Sequence, residues 1–590
     1  MPLVTHIPKE LGDMKNQIIF LFLIFCFCSV KSQTIDSVQI AGLCKVWGLI
    51  KYYHPDITKN KMDWDKVLID NYPTFAQKND FELFNKNIGR LIDLLNKKDY
   101  HLKVDNTIFD AIVKDRIEEI ENFKYLSDTN KFINRISFSW INDSIFSKEI
   151  QYKLCEILLN YKPYKSKHLK GKIVVKHIEN KYLELDSITE PYRILGLFRY
   201  WNTINYFFPY KHLSDNNWDS VLTEAIPNFI QANNYIKYIQ QVKSLSSKIN
   251  DSHGFYRFST TKYYKTGNAN IEKKGYVPYN FKLIDSNVVV SDLLVDSTAL
   301  KLGDIVLKID TTNLIDLRNL LKKYKSHSSI QAEESYYKTV LANTFNSQFN
   351  FTIIRDEDTV LLTETKIVTK EVKVESNYRK PPFYYSIDNN SGYIELTQIK
   401  FGELEKALKE FKNKKSIVFD VRGYPETIAW IALPHLLKNH SEKVATYYYP
   451  NKKYPGTFIN NPNGENYRIW FVKPFLFLRK QYKGKIVVLI NASAISQAET
   501  VCMMFKAYSD NVTFIGQPTT GANGDISSID MPGGISSNFT SLDWHFPNNT
   551  QLQRIGIIPD ILVKETIDGI KLSKDEILEK AIQFINNQDN

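Results

Sequence analysis

Apolar residues in the first part of the chain recur at helical spacing, and the pattern occurs twice. One copy reads AGLCKVWGLIKYYHPDITKNKMDWDKVLIDNYPTF and covers residues 41–75. The other reads LGLFRYWNTINYFFPYKHLSDNNWDSVLTEAIPNF and covers residues 195–229, at a constant offset of 154 (195 − 41). The repeat predicts two related helical modules, residues 34–185 and residues 190–255, that pack through their aromatic faces. Four matched pairs support this interpretation: Trp47 and Trp201, Pro55 and Pro209, Trp64 and Trp218, and Pro73 and Pro227.

The two modules differ where they end. The second runs into Asp251-Ser252-His253-Gly254, whereas the offset places Asp99 opposite His253 in the first module (253 − 154). The polar tip is therefore an addition to the helical scaffold. We interpret the shared Trp and Tyr side chains as core residues rather than as ligand-stacking residues.

Short β-rich runs follow between residues 276 and 369. A Gly303-Asp304 turn leads into the strand-like run IVLKID, and FNFTIIRD and TVLLTETKIV then read as a hairpin. A short helix is predicted at residues 297–301 (STALK). This spacing resembles that of a PDZ domain, which binds an extended peptide at a sheet edge, so we expect a PDZ-like domain over residues 270–370. The alternative is a small β-barrel insertion with a structural role only.

Strands and helices alternate from about residue 384 to the end of the chain. Because such alternation predicts a largely parallel sheet covered on both faces, residues 378–590 read as an α/β core. Functional sites on such sheets gather at the carboxyl ends of the strands. The predicted strands are residues 392–396, 416–421, 485–490 and 512–516, and the predicted helices are residues 401–412, 426–437, 497–508 and 574–585.

Composition narrows the class of protein. A chain of 590 residues exceeds one hydrophobic core, so we expect three or four domains. Hydrophobic and charged fractions of 43% and 24% exclude a disordered, collagen-like or polytopic membrane protein. The formal net charge of +11 comes from lysines spread along the whole chain, which indicates a solvated surface and no nucleic-acid partner.

The N-terminus predicts export. Residues 18–30 form an apolar run that is too short to span a bilayer, with Lys15 before it and a signal-peptidase cleavage site near Ser32 after it. We therefore predict a signal peptide over residues 1–32, with translation starting at Met14, and a periplasmic or secreted product. No lipid anchor and no integral membrane span are expected in the mature chain. Its cysteines, Cys44, Cys155 and Cys502, are odd in number and widely spaced, so we expect no disulfide framework.

Polar groups follow three predicted strands of the α/β core. The predicted strand at residues 416–421 ends in Asp420-Val421-Arg422-Gly423, and the predicted strand at residues 512–516 is followed by the glycine-rich loop of residues 516–524. The predicted strand at residues 485–490 leads through a short loop to Ser496, which stands at the start of a helix that begins near Gln497. The free N–H groups and dipole of a helix N-terminus favour a developing oxyanion. Ser496 could also be an ordinary N-cap residue, and Ser493 is a weaker candidate nucleophile because it lies farther from the helix.

Three motifs carry a family resemblance: Ser-Gln-Ala-Glu at residues 496–499, Ile-Gly-x-x-Thr-x-Gly at 515–521, and Gly-Ile-Ile-Pro-Asp at 556–560. In this order they resemble the C-terminal-processing (tail-specific) serine peptidases, over roughly residues 190–590. The resemblance implies a multidomain α/β protein whose crotonase/ClpP-like catalytic core follows a helical lead-in and a PDZ domain. Members of the main branch use a Ser–Lys dyad, but Ala522 stands where that Lys would be. The sequence is more similar to the tricorn-like branch, which uses a histidine.

The resemblance also implies roles for individual residues. Ser496 would be the nucleophile, His253 the general base, and Ser252 the group that orients the imidazole. The N–H groups of Gly423 and Gln497 would form the oxyanion hole. Gln553 takes the place of a glutamate, so we expect either lower activity or a different carboxylate, such as Asp251, in its role. We assign no chemistry to Glu499, which can cap its own helix. Metal-ligand spacing and phosphate-loop motifs are missing from the sequence, so no metal or cofactor is expected.

Two functions are compatible with this sequence. The first is an exported serine endopeptidase that cleaves polypeptides near C-termini captured by its PDZ domain. The second is an inactive relative that binds peptides as an adaptor. The intact Ser-Gln-Ala-Glu and Asp-Ser-His motifs favour the enzyme, whereas Ala522 and Gln553 favour the adaptor. The oligomeric state is not determined by the sequence.

Overall fold

A computed structural model gives the architecture. It describes residues 36–77, 80–95, 132–163, 165–185, 187–258, 275–341, 348–368, 382–427, 443–465 and 482–587, with isolated positions between these ranges. The predicted signal peptide and Asp99 lie outside the described residues. Within these ranges, no helix combines the length and apolar character needed to cross a membrane.

The first part of the chain is mainly helical. Its aromatic and aliphatic side chains form one core shared by both predicted modules. The predicted core role of Trp47, Trp64, Trp201 and Trp218 is confirmed, because all four are buried. The helices are α1 (Ser37–Tyr53), α2 (Pro55–Thr58), α3 (Trp64–Phe75), α4 (Phe81–Asp93), α5 (Lys148–Leu159), α6 (Glu190–Phe207), α7 (Trp218–Gln231) and α8 (Tyr235–Ser247), and the strands are β1 (Phe132–Asn134), β2 (Leu169–Lys170), β3 (Lys176–His177) and β4 (Tyr256–Arg257).

The middle part is a small β domain with its own core. Its main sheet has the strand order β12-β11-β8-β7-β6, in which neighbours are antiparallel. The short helix predicted at residues 297–301 is not formed, because Ser297 has a left-handed φ of 58° and turns follow it. The elements are β5 (Gly275–Tyr276), β6 (Tyr279–Ile284), β7 (Asn287–Leu293), β8 (Ile305–Ile309), β9 (Thr312–Asn313), α9 (Leu314–Leu321), α10 (Ile330–Leu341), β10 (Asn343–Thr344), β11 (Phe349–Arg355) and β12 (Asp358–Glu364).

The last part is α/β. Its central sheet has the order β13-β14-β15-β18-β19-β23, and only β13 is antiparallel to its neighbour. Separate apolar clusters cover the two faces, as the continuous apolar strands predict. The elements are β13 (Tyr384–Ser386), β14 (Ser391–Glu395), α11 (Phe401–Phe411), β15 (Ser416–Asp420), β16 (Ala445–Pro450), β17 (Thr457–Glu465), β18 (Lys485–Ile490), α12 (Gln497–Tyr508), β19 (Val512–Gly516), β20 (Ile526–Met531), β21 (Ile535–Thr540), β22 (Asp543–His545), β23 (Ile561–Leu562), α13 (Ile567–Lys571) and α14 (Glu576–Asn586).

The helical and α/β parts are interlocked rather than joined by a linker. Strand β1 pairs with β17, and β4 pairs with β21. The β20–β21 hairpin leaves the α/β part and packs its apolar residues into the helical core. Because β4 follows the predicted His253 tip directly, this pairing brings the tip to the α/β part.

Candidate active site

Ser496 lies on a strained turn between β18 and α12. Its backbone has φ 55° and ψ −110°, a conformation that costs free energy for a residue other than glycine. Although Ser496 precedes the helix, its side chain makes no capping hydrogen bond, which removes the N-cap interpretation. A strained strand-to-helix turn that projects a serine hydroxyl is the arrangement used to present a nucleophile.

Glu499 holds the loop beside Ser496. Its buried carboxylate accepts hydrogen bonds from the Thr519 hydroxyl (2.6 Å), from the Gly521 N–H (2.7 Å) and from the Ala522 N–H (3.0 Å). Ala522 in turn accepts from the Ser496 N–H at 3.0 Å. Burial raises the pKa of Glu499 to about 7, against the opposing effect of these donors. The carboxylate therefore does more than cap its own helix, because it fixes the loop where the Ser–Lys branch would carry its lysine.

His253 lies on a tight turn after α8. Asp251 is completely buried and accepts the His253 backbone N–H at 3.1 Å. The ring is buried against strand β21, where its Nδ1 lies 2.8 Å from the Thr540 hydroxyl. Burial lowers the pKa of His253; Asp251 opposes this shift, and Lys325 adds to it. A lowered pKa favours the neutral imidazole, which is the form that a general base requires.

Ser252 does not orient the imidazole in this structure. Its hydroxyl oxygen lies 2.5 Å from the Ser328 hydroxyl and accepts the Ser328 N–H at 3.0 Å. The turn directs Ser252 toward the small β domain and His253 toward β21, since adjacent side chains of a tight turn diverge. Thr540 occupies the place beside Nδ1 that the sequence analysis gave to Ser252.

Gln553 lies beside Asp251, not against the imidazole. Its side-chain Nε2 donates to Asp251 Oδ1 at 3.3 Å, and its buried Oε1 makes no hydrogen bond with the described residues. A glutamate at this position would bring a second carboxylate against Asp251, and two like charges in a buried site repel each other. The amide is therefore the side chain that suits a site whose carboxylate stands at residue 251.

The predicted oxyanion-hole residues lie on neighbouring loops, because β15 and β18 are adjacent parallel strands. The Gln497 side chain donates to the Pro425 carbonyl at 2.9 Å and so ties the two loops together. The Gly423 N–H donates to the Val421 carbonyl at 2.8 Å. This peptide must turn before its N–H can bind a substrate oxygen.

The loop of residues 519–524 contacts the Ser496 turn on one side and neighbours of the Ser252-His253 turn on the other. On one side it accepts the Ser496 N–H. On the other, the Thr520 carbonyl oxygen accepts hydrogen bonds from the hydroxyls of Ser328 and Ser329, and a Cβ on Gly524 would lie 3.2 Å from Thr540 Cγ2.

Two features of the site were not predicted from the sequence: Thr540 and the role of Glu499. Only the placement of Glu499 three residues after Ser496 gave any signal for them.

No group of three or more His, Cys, Asp or Glu side chains in the described part of the chain is placed to hold a metal ion.

Part of the sequence and the fold are similar to those of known proteins. Residues 390–563 match the sequence model of Peptidase family S41. No curated protein matches the chain. A crystal structure of mature CPAF is similar over 68% of this chain and 99% of its own, with 14% identity and a TM-score of 0.50. The structure of a CPAF mutant is similar over 68% of this chain and 98% of its own, with 14% identity and a TM-score of 0.51. The photosystem II D1 C-terminal processing protease is similar over 63% of this chain and 92% of its own, with 14% identity and a TM-score of 0.37. At this identity the likeness to CPAF concerns the fold alone. Residues 390–563, which contain Ser496, are thus similar in sequence to Peptidase family S41.

Proposed function

We propose that this protein is a serine endopeptidase, with Ser496 as the nucleophile and His253 as the general base. The observation that carries the proposal is the strained backbone of Ser496, whose hydroxyl makes no capping bond. A residue held in such a conformation is more often part of a mechanism than of the scaffold. The buried imidazole, whose partner Thr540 lies beside Gly524 of the 519–524 loop, supports the second assignment.

The proposed reaction follows from these positions. The imidazole of His253 takes the hydroxyl proton as Ser496 Oγ bonds to the scissile carbonyl carbon. The negative charge on the carbonyl oxygen is stabilised by the N–H groups of Gln497 and Gly423. The imidazolium then gives its proton to the leaving amine, and water releases the acyl group by the same steps.

Covalent labelling with a fluorophosphonate probe tests the nucleophile. We expect the folded mature chain to be labelled and Ser496→Ala to be unlabelled. Ser493→Ala is the matched control, because Ser493 lies on the same loop but is exposed. Labelling that persists in Ser496→Ala would contradict the assignment.

We further propose that the small β domain is PDZ-like and delivers chain ends to Ser496. Strand β6 is an edge strand that lies beside α10, a suitable place for an extended peptide to add to the sheet. Substrates with a free C-terminal carboxylate should be cleaved with a lower KM than the same peptides with a C-terminal amide. Equal KM values would contradict capture of chain ends.

We also propose that the protein is exported to the periplasm or secreted, on the basis of the apolar run at residues 18–30. Fractionation of expressing cells, with sequencing of the mature N-terminus, tests this. A cytoplasmic product that retains residues 14–32 would contradict it.

An inactive peptide-binding protein is the second candidate. Ala522 in place of a lysine and Gln553 in place of a glutamate favour it. The fluorophosphonate experiment separates the two candidates, since an adaptor would bind peptides without labelling at Ser496.

A further inference from the structure

The hydroxyl of Thr540 lies between a buried carboxylate and the imidazole of His253. Thr540 Oγ1 lies 2.8 Å from Asp251 Oδ1 and 2.8 Å from His253 Nδ1. All three side chains are buried. Because water does not compete for these contacts, the proton positions follow from the donor and acceptor capacity of each group.

The chemistry of the three groups leaves one arrangement of protons. An ionised carboxylate only accepts, so the Thr540 hydroxyl donates its hydrogen to Asp251. The Thr540 oxygen can then only accept from the ring, which places the imidazole proton on Nδ1. Nε2 is left with its lone pair and can take a proton.

The backbone makes this arrangement rigid. Asp251 Oδ2 accepts the Thr540 N–H at 2.6 Å, and Asp251 Oδ1 accepts the His253 N–H at 3.1 Å. Gln553 adds a side-chain donor to Oδ1 at 3.3 Å. The carboxylate therefore fixes the hydroxyl, the ring and the two chain segments that carry them.

We propose that Thr540 is a positioning residue that links the charge of Asp251 to His253 and sets the Nδ1–H tautomer of the base. The proposal rests on the proposed function, in which His253 takes the proton of Ser496. That proton moves from Ser496 Oγ to His253 Nε2. The Nδ1–H bond stays intact and donates to Thr540, whose hydroxyl transmits the polarisation to Asp251 without giving up its own proton.

Thr540→Val tests the link, because valine keeps the shape of threonine without the hydroxyl. Thr540→Ser is the matched variant, since it keeps the hydroxyl. We expect Thr540→Val to lower kcat by on the order of 10- to 100-fold with little change in KM, and Thr540→Ser to recover most of that loss. The acid limb of the pH profile should also move in Thr540→Val and stay in place in Thr540→Ser. The charged groups that face the ring are Asp251, Lys325 and Asp525, and both variants leave them unchanged.

The tautomer gives a readout that does not depend on activity. Nitrogen-15 spectra of the imidazoles in the full mature chain, with His253 assigned by its loss in His253→Gln, should show protonated Nδ1 and unprotonated Nε2. This preference should weaken in Thr540→Val and persist in Thr540→Ser. Wild-type protein with its proton on Nε2 would overturn the proposal, even if Thr540→Val fails to fold.

The two measurements separate this proposal from the proposed function. Full kcat and an unchanged tautomer in Thr540→Val, with activity lost in Ser496→Ala, would overturn the link and leave the peptidase assignment standing. A Thr540-dependent tautomer in a protein that Ser496→Ala does not inactivate would support the link and contradict the peptidase assignment.

Discussion

The two helical modules are built alike but end differently. Helix α3 begins at Trp64 and α7 at Trp218, while α4 and α8 span Phe81–Asp93 and Tyr235–Ser247, all at the offset of 154 residues. The helices thus repeat at the offset found in the sequence, and a duplication as their origin stays a prediction. The helix caps match as well: Asp63 and Asn217 cap α3 and α7, and Asp80 and Asn234 cap α4 and α8.

Each module is closed by a reciprocal pair of tryptophans. The Trp47 indole donates to the Trp64 carbonyl at 3.3 Å, and the Trp64 indole donates back to the Trp47 carbonyl at 3.0 Å. The corresponding distances for Trp201 and Trp218 are 2.8 and 3.1 Å. Both modules thus use large apolar side chains whose one polar group is satisfied internally.

The difference lies in how each module ends. Helix α1 of the first module packs on α6 of the second, for example through Tyr52 against Phe207. Both modules contact the α/β part, the first through β1 and β3 and the second through α6 and β4, but only the second continues into the His253 turn. One copy of this scaffold therefore supports the other, while the proposed general base lies on a turn added to the second copy.

Removal of the added turn's imidazole should have the largest effect. His253→Ala should lower kcat by on the order of 10²- to 10⁴-fold, because the reaction loses its base. The chain should keep its fold, as measured by circular dichroism and thermal unfolding, because the ring contributes little to the helical core. Asp99→Ala, at the matching position of the first module, is the control and should retain activity.

Retained activity in His253→Ala would refute the assignment of His253 as base. The double variant with Ala522→Lys should also stay inactive. Ala522 is completely buried, and its N–H donates to Glu499, so a lysine there would disturb the loop rather than replace the base. Rescue by this lysine would show that the site can work as a Ser–Lys dyad.

A buried ion network joins the two modules and offers the next largest effect. Arg199 on α6 contacts Asp65 on α3 and lies 3.4 Å from Glu179. Arg199→Met should lower the free energy of unfolding at pH 7 by roughly 3 to 5 kcal/mol, because it leaves Lys51 as the one remaining cation beside two buried carboxylates. Chemical denaturation measures this.

The network also predicts a pH dependence. Burial alone would raise the pKa of Asp65, but Arg199 and Lys51 hold it well below its usual range. A carboxylate with a depressed pKa contributes stability that is present above its unfolded pKa of about 4 and is lost as the pH falls further. The difference between wild type and Arg199→Met should therefore shrink in acid. A constant difference at every pH would contradict the pairing.

The tryptophan pairs should give smaller and matched effects. Trp47→Phe and Trp201→Phe each leave a buried carbonyl without its indole donor, at a cost of about 1 to 3 kcal/mol. Neither should change the pH profile of the remaining activity. Thermal unfolding of both variants measures the cost, and a large difference between them would break the proposed equivalence of the modules.

Much of the fold was predictable from local pattern. The predicted helix at residues 497–508 and strand at residues 485–490 have the observed bounds. The length of each apolar segment and the turn residues beside it distinguish the strand from the helix. The predicted helix at residues 297–301 was wrong, since helix-forming residues there are preceded by a left-handed serine. The predicted helix at residues 426–437 lies partly outside the described residues.

The site was predictable only where a motif marks it. Ser496 and His253 stand out in the sequence, but Thr540 is one unremarkable strand residue, 289 positions from Asp251. Such a contact arises from the pairing of β4 with β21, which local pattern does not specify. The orientation of Ser252 was missed for a related reason, because sequence adjacency does not say which side of a turn a hydroxyl faces.

Lys325 gives the smallest effect and tests the electrostatics of the added turn. Its ammonium group lies 5.9 Å from the ring centroid of Phe255, and its positive charge helps to lower the pKa of His253. Removal of the charge in Lys325→Met should raise that pKa, so the acid limb of kcat/KM should move to higher pH by less than about one unit. Lys325→Arg keeps the charge and should leave the limb in place. Rates measured from about pH 5 to pH 8 cover the titration of a histidine. Since the remaining charged neighbours of His253, Asp251 and Asp525, are unchanged in both variants, a limb that stays in place in Lys325→Met would mean that a group other than His253 titrates.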